Sequence, residues 1–337
     1  MAPCFFAGSF FYDNMRVDGI YIVMHVRKAA VFVFFLLLLM LLAPSRYFDS
    51  VKGGVLLFTA SVLPSMLPYF FFTKIFTSVG GASGISSTVG KPFSKMYGVS
   101  PVCGYAFVMS LLSGYPVGAR VLGDLYEKGC ISREDVLRAS AFASTSGSMF
   151  VLGSVGSAIL GNVKMGWVIL LSHYLGAIAN GFLFCLRKRK VPKTAASLLS
   201  MSSADNLLSD AMYESVLSLA LVGGFIAVTN LLADMAADVL AVIGVRIAKE
   251  GNILSGLFFA FFEVTRGCVV FSTCALPPYL IAALAATAIS FGGLSVVFQT
   301  VAFVGKAGVG VGKILLRKAA QAIITFVICL GIGALVL

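Results

Sequence analysis

The chain is a succession of long apolar segments separated by charged clusters or by glycine and proline. About 20 consecutive apolar residues are enough to cross a bilayer as an α-helix. Backbone amides and carbonyls must be paired inside a bilayer, so such segments are expected to be helical. The candidate segments are residues 27–43, 53–76, 101–118, 142–160, 163–186, 213–233, 253–275, 277–304 and 314–337. The pattern predicts an all-α polytopic membrane protein.

Several of these segments contain residues that disfavour a continuous helix. The interruptions lie near residues 113–118, 144–148, 263–267 and 291–295. Unwound backbone within a bilayer is tolerated only where its polar groups face protein, water or a ligand. Short, broken segments at corresponding places in two halves are typical of the binding sites of secondary transporters. We therefore expect the four breaks to meet inside the protein.

The order of features is similar in the two halves of the chain. Each half has a spanning helix, a broken segment, a Ser- or Gly-rich segment and a closing helix. This order predicts a leader with a first helix over 1–52, a first repeat over 53–186, a linker over 187–212 and a second repeat over 213–337. The predicted fold is thus two related repeats with broken or re-entrant helices. An inverted arrangement of the repeats is a further hypothesis.

Composition and charge support a membrane protein and argue against a nucleic-acid-binding one. Of the residues, 59% are hydrophobic and 12% are charged, against about 25% charged in soluble domains. The net charge of +11 is expected to lie in cytoplasmic loops, because no basic cluster alternates with aromatic residues. The basic run at 187–193 predicts that the linker is cytoplasmic.

The sequence contains few groups that would support metal or enzyme chemistry. Seven cysteines are scattered without a C-x-x-C pair, and only two histidines are present. Nucleotide-binding and nucleophile-elbow motifs are absent from the sequence, so we expect neither a metal site, a cofactor nor catalysis. The expected partners are a small-molecule anionic substrate and the lipid bilayer, with no nucleic acid. A homo-oligomer is compatible with this pattern.

Ionisable residues in an apolar stretch are the first candidates for a site. Glu263 and Arg266 lie three residues apart, which on a helix places them on one face and close enough to pair. Charged groups at membrane depth are costly and by default indicate function. The alternative is a structural ion pair. Thr265 lies between them, and Gln299 lies on the Gly-broken segment of the second half.

The most distinctive stretch contains Gly114, Tyr115, Pro116 and Arg120. Proline interrupts a helix and glycine allows close backbone approach. Tyr115 offers an aromatic face and a hydroxyl, and Arg120 can bind a carboxylate through two hydrogen bonds. The alternative is a hairpin tip from which Arg120 extends into the cytoplasm.

The remaining candidates are uncharged or weakly basic residues. Ser144, Thr145 and Ser146 can offer hydroxyls and amide N–H groups to an anion if a half-helix begins there. His173 and Asn180 are seven residues apart, on one face of a predicted helix, and are secondary candidates. For all five residues the alternative is polar packing between helices.

Five stretches together resemble one family. The stretch 111–120, with Ser-Gly-Tyr-Pro-Val-Gly-Ala, resembles the signature of YlbJ-type sporulation integral membrane proteins, and supporting stretches begin at Phe142, Ser172, Glu263 and Gly293. The resemblance implies Gate domains similar to the nucleoside-recognition region of concentrative nucleoside transporters. It also implies transport of dipicolinic acid, a small aromatic dicarboxylate, across a forespore-associated bacterial membrane.

This chain departs from the family pattern at some positions. Ser144 and the pair Gly147-Ser148 stand where Asn or Pro is expected, and Arg266 is not an expected family feature. These departures bear on the substrate more than on the fold.

The resemblance and the residue chemistry together give a hypothesis for the site. Arg120 and Arg266 would bind two carboxylates, Tyr115 would stack on the ring, and the Ser/Thr hydroxyls would complete the site. Glu263 would orient Arg266 or accept a proton. Two alternatives stay open. One is a nucleoside transporter that uses Gln299, Asn180 and Glu263 as hydrogen-bonding groups, and the other is a membrane scaffold of a sporulation complex.

Overall fold

A computed structural model describes residues 19–186, 206–248 and 250–337, and every regular element in these ranges is helical. These residues belong to two compact units, one ending at Asp49 and the other covering residues 50–337. The basic run at 187–193, within the predicted linker 187–212, lies outside the described residues. The helices are α1 (Gly19–Leu42), α2 (Pro44–Leu57), α3 (Leu63–Ser78), α4 (Gly81–Thr88), α5 (Gly90–Tyr97), α6 (Val102–Ser113), α7 (Val117–Glu127), α8 (Arg133–Ala139), α9 (Val163–Phe184), α10 (Leu207–Val242), α11 (Ile253–Phe262), α12 (Val264–Ser272), α13 (Pro278–Phe291), α14 (Gly293–Val304) and α15 (Val311–Val336), with π-helical segments Phe58–Val62 and Phe150–Ile159 and a 3₁₀ turn Gly305–Ala307.

Within the described residues, five helical stretches are long and apolar enough to cross a membrane. They are Pro44–Ser78, Val163–Phe184, Leu207–Val242, Pro278–Ala307 and Val311–Val336. A sixth span results if α5 and α6, which meet at an angle of 108°, are counted as one bent span. The prediction of an all-α polytopic membrane protein is confirmed.

Helix α9 has an exposed apolar face and a buried face that contains polar residues. Trp167, Leu171 and Leu175 are exposed large apolar residues at four-residue intervals, whereas His173 and Asn180 are fully buried. An exposed apolar stripe on a spanning helix fits contact with lipid tails. His173 and Asn180 therefore face the protein interior.

Small residues let the central helices approach closely. Helices α9, α13 and α15 pack against one another. A Cβ added at Gly176 of α9 would lie 2.1 Å from the Thr325 hydroxyl of α15. Such small-residue contacts are typical of membrane helices, in which the backbones can then come close. The buried face of α13 is rich in alanine: Ala282, Ala283, Ala285, Ala286 and Ala288.

The four predicted breaks are present. Helix α6 ends at Ser113 before α7, and α11 ends at Phe262 before α12. Gly292 separates α13 from α14 with a left-handed φ of 79°. Residues 144–147 have no regular secondary structure, and a helical segment begins at Ser148.

These breaks also contact one another. A Cβ built on Gly114 would lie 2.6 Å from the Gly147 amide nitrogen, and one on Gly293 would lie 2.8 Å from the Phe262 carbonyl oxygen. The Tyr115 hydroxyl donates to the Ile289 carbonyl at 3.3 Å, which connects the first pair of breaks to α13. The interior therefore contains a concentration of unwound backbone. The superposition of the two halves as repeats stays a prediction.

Candidate functional site

A buried lysine lies next to the unwound segment 144–147. Lys318 of α15 is 2% exposed, and its ammonium nitrogen donates to the Ser144 carbonyl. This nitrogen also lies 5.2 Å from the centre of the Tyr115 ring, which is within the range of a cation–π contact. Among the described residues, no Asp or Glu forms an ion pair with Lys318. Its described partners are all uncharged.

Segment 144–147 places buried hydroxyls beside this lysine. The side-chain oxygens of Ser144 and Ser146 are both buried and have no hydrogen-bond partner within the described chain. Thr145 instead donates to the Ser110 hydroxyl at 2.9 Å and packs the segment onto α6. Unpaired buried polar atoms cost about 1–3 kcal/mol each, so two in one segment call for a ligand or an explanation.

His173 holds the segment from the other side. Its Nε2 accepts the Ser146 backbone N–H at 2.9 Å, and its Nδ1 lies 2.7 Å from the Ser290 hydroxyl. Ser290 in turn donates to the Thr325 hydroxyl at 2.9 Å. An imidazole whose Nε2 accepts is neutral and carries its proton on Nδ1, which donates to Ser290. The hydrogen-bond chain joins segment 144–147 to α9, α13 and α15.

We call these residues the central polar cluster. Its members are Tyr115, Ser144, Ser146, His173, Ser290, Lys318, Gln321 and Thr325. Lys318, Gln321 and Thr325 follow the helical spacing i, i+3 and i+7 and therefore share one face of α15. The Gln321 side-chain nitrogen is also buried without a partner among the described residues. The cluster thus combines one cation with several unused hydrogen-bonding groups.

Sequence analysis missed Lys318 although a signal was present. A lysine followed by Gln321 and Thr325 at helical spacing in an apolar helix is the pattern of an intramembrane polar face. Lys318 stands next to Arg317 near the start of the apolar run, where basic residues usually flank a span. Arg317 fits this flanking role: it donates to the Lys313 carbonyl at 3.3 Å and lies over the Phe184 ring, whereas Lys318 points into the central polar cluster.

Arg120 already has a carboxylate partner outside the central polar cluster. Its guanidinium is 2.8 Å from the Glu214 carboxylate on α10 and also contacts Ser218. Lys74 of α3 pairs with the same carboxylate. Helix α10 thus supplies a negative charge to Arg120, and the binding of a substrate carboxylate by Arg120 stays a prediction.

The predicted side-chain pair of Glu263 and Arg266 is wrong. Glu263 has extended backbone at the start of α12 and caps that helix, accepting the Arg266 backbone N–H at 2.8 Å and the Thr265 hydroxyl at 3.1 Å. The Arg266 guanidinium instead donates to Asp234 at 2.7 Å and Asn230 at 2.8 Å, both on α10. The break removes the helical register that the prediction assumed.

This contact gives a prediction about Asp234. Asp234→Asn should lower the unfolding free energy by roughly 1–3 kcal/mol, because it weakens a charge-assisted hydrogen bond to the Arg266 guanidinium. Both side chains are largely buried, with exposed fractions of 20% and 18%. The affinity of the central polar cluster for an anion should be unchanged, since this pair lies outside the cluster.

Thermal unfolding in detergent, together with ligand binding, would check this expectation. Asp210→Asn on the exposed start of α10 is the matched control. A loss of affinity at unchanged stability would contradict the structural role of Asp234.

The other predicted site residues contact residues outside the central polar cluster. Asn180 donates to the carbonyls of Ala141 at 2.7 Å and Arg317 at 3.2 Å. Gln299 donates to the Ser295 hydroxyl at 2.9 Å, and its side-chain oxygen lacks a partner among the described residues. Pro116 follows Tyr115 through a cis peptide bond. Of the predicted residues, Tyr115, Ser144, Ser146 and His173 are brought together around Lys318, with Gly114 beside them.

Two cavities lie on the side of the Arg120–Glu214 pair. The larger, of about 540 Å³, is lined by residues that include Asp124 and Lys306. The smaller, of about 70 Å³, reaches Pro116, the neighbour of Tyr115. Both cavities are lined by Arg120 and Asp124.

The chain is 26% identical to the sporulation integral membrane protein YlbJ of Bacillus subtilis (strain 168) over 304 residues. The match covers 80% of this chain and 73% of that protein. The predicted resemblance to the YlbJ-type proteins is confirmed. No protein-family model and no solved structure matches the chain.

The YlbJ-like stretches converge in the structure. The stretch 111–120 supplies Tyr115, the stretch beginning at Phe142 supplies Ser144 and Ser146, and the stretch beginning at Ser172 supplies His173. Their contacts with one another and with Lys318 build the central polar cluster. Three of the five stretches that carry the YlbJ resemblance thus meet at one place.

Proposed function

We propose that this chain is a membrane transporter of a small organic anion and that Lys318 binds a carboxylate of the substrate. The observation that carries the proposal is an ammonium buried in a spanning helix with only uncharged partners among the described residues. A buried charge without a counter-charge is costly, and ionisable groups in a membrane interior by default indicate a transported ligand or ion.

A carboxylate fits the unused groups of the central polar cluster. Its oxygens can accept from the Lys318 ammonium and from the hydroxyls of Ser144 and Ser146, the two side-chain oxygens without described partners. Hydrogen bonds to charged groups contribute about 1.5–3 kcal/mol each. The Tyr115 ring beside Lys318 offers a face for an aromatic substrate.

The same geometry favours transport over catalysis. His173 is the only imidazole in the cluster, and its Nε2 is occupied by a backbone N–H. Its Nδ1 donates to Ser290, whose own proton is donated to Thr325. A histidine bound in this way cannot take a proton from a serine nucleophile, so the described cluster supports binding rather than acyl transfer.

Dipicolinic acid is our first candidate substrate. It is aromatic and carries carboxylates, which match Tyr115 and Lys318, and it is the substrate implied by the YlbJ-type resemblance. The YlbJ relative is a sporulation protein, and we place this chain in the same process, in a forespore-associated membrane.

Transport by purified protein in liposomes tests the proposal. Labelled dipicolinate is expected to enter vesicles containing the protein at a saturable rate, with competition by pyridine-2-carboxylate and none by pyridine. Uptake of labelled uridine without dipicolinate uptake would show a nucleoside transporter instead. If neither compound moves or binds, the proposed function is wrong and a scaffold of a sporulation complex becomes the better account.

A further inference from the structure

Lys318 also bears on what crosses the membrane together with the anion. A transporter that completes a net cycle must change conformation once with its site occupied and once with its site empty. In the occupied site the substrate carboxylate balances the ammonium. In the empty site, the described residues around Lys318 supply no negative charge. Whether Lys318 is then protonated or neutral decides whether the protein can return empty and so complete a net cycle.

The groups facing Lys318 show why its charge depends on the substrate. The segment after α8 supplies the Ser144 carbonyl, and the break before α7 supplies the phenol ring of Tyr115. From α9 comes His173, whose ring is held neutral by its two hydrogen bonds. On α15 itself, the Arg317 side chain lies over Phe184. None of these groups supplies a negative charge at neutral pH.

From this arrangement we propose that each anion crosses together with one proton, which Lys318 carries. The inference rests on the proposed function. Burial disfavours a lone ammonium, whereas a bound carboxylate stabilises it, so anion binding and proton binding strengthen each other. The empty site then returns with an uncharged amine and without a buried lone charge.

Lys318 gains one proton when the anion binds and loses it when the anion leaves. On loading, the lone pair of the Lys318 nitrogen takes a proton from water on the entry side, and the new ammonium pairs with the carboxylate. On release, the N–H bond breaks, and the proton and the anion leave on the same side. No redox partner is needed, and the charge moved equals that of the anion plus one.

If Lys318 stayed protonated through the whole transport cycle, the protein would be an anion exchanger. The empty site would have to reorient with an unbalanced buried cation, which is costly. Such a protein would exchange one anion for another but would perform little net uptake. Proton symport and obligatory exchange are therefore distinguishable from measurements of flux.

The test uses purified full-length protein in liposomes that contain a pH-sensitive dye, with the membrane potential clamped at zero. Adding dipicolinate outside should acidify the lumen by one proton per anion taken up. Steady-state accumulation should rise about tenfold for each unit of inward pH gradient, as one-to-one coupling requires. Saturable uptake without acidification would overturn proton coupling while leaving the proposed function in place. The absence of both uptake and exchange would overturn the proposed function itself.

Lys318→Arg separates a proton carried by Lys318 from one carried by the substrate. Arginine stays protonated in proteins, so this variant should retain anion exchange but lose net, proton-driven uptake. Lys313→Arg, on the exposed side of the same helix, is the matched control and should behave as wild type. If Lys318→Arg still acidifies the lumen during net uptake, the proton does not travel on this side chain and the proposal is wrong. Should that variant fail to fold, the wild-type stoichiometry still decides whether protons are coupled.

Discussion

Replacing Lys318 by glutamine is expected to abolish dipicolinate binding while leaving the protein folded and more stable. Losing one partner of a buried, hydrogen-bonded charge pair costs roughly 2–5 kcal/mol of binding free energy. Glutamine keeps an N–H donor that can reach the Ser144 carbonyl, which Lys318 contacts in the structure. Without ligand, folding must either bury the charge of Lys318 among uncharged described partners or remove its proton. Both cost free energy that a glutamine does not, so the melting temperature should rise.

The combination of lost binding and raised stability distinguishes a binding role for Lys318 from a structural one. Equilibrium binding in detergent and thermal unfolding of the same preparation would measure both quantities. Lys313→Gln removes an exposed lysine of the same helix and should change neither. A Lys318→Gln protein that binds dipicolinate with wild-type affinity, or that melts earlier than wild type, would remove the basis of the proposed site.

The fold could be read from the sequence because its determinants are local. Apolar length set the spans, and glycine or proline marked the breaks, as in Gly114-Tyr115-Pro116 and Gly292-Gly293. A bilayer strengthens both signals, since it demands helices where the chain is apolar and cavities or protein contacts where the backbone unwinds.

The partners of the charged residues could not be read in this way. Arg120 pairs with Glu214, which is 94 residues away, and Arg266 pairs with Asp234, which is 32 residues away. Both acids lie on α10, and only the packing of that helix brings them to the arginines. The local rule for residues three apart failed at Glu263 because the helix is interrupted there, with φ of −144° and ψ of 121°.

The partners of Lys318 could not be predicted from the sequence either. Its spacing with Gln321 and Thr325 indicates a polar face, but the sequence does not show what this face meets. It meets segment 144–147, which precedes it by some 170 residues and has no regular structure. Sequence reasoning found Tyr115, Ser144, Ser146 and His173 but none of the α15 residues, and the structure joins the two sets around one cation.

Gly114→Ala is expected to disrupt this junction and to unfold a large fraction of the protein. Gly114 has φ of 83° and ψ of −177°, a region almost restricted to glycine, and a non-glycine residue there costs about 1–3 kcal/mol. Its Cβ would also lie 2.6 Å from the Gly147 amide nitrogen and 3.1 Å from the Gly147 Cα. Backbone atoms cannot rotate away as a side chain can, so overpacking adds a further ~1–3 kcal/mol.

Gly129→Ala is the matched control for this effect. Gly129 also has a left-handed φ, of 70°, but a Cβ built there meets nothing within 4 Å. Its replacement should therefore cost the backbone strain alone, about 1–2 kcal/mol. The melting temperatures of the two variants in one detergent give the comparison, and dipicolinate binding to any folded Gly114→Ala protein gives a second measure. We expect the larger loss of stability at Gly114, accompanied by weakened binding, because Gly147 ends the segment that carries Ser144 and Ser146. Equal losses at the two glycines would mean that segment 144–147 is not held against the break at Gly114, and the central polar cluster would then lose its structural support.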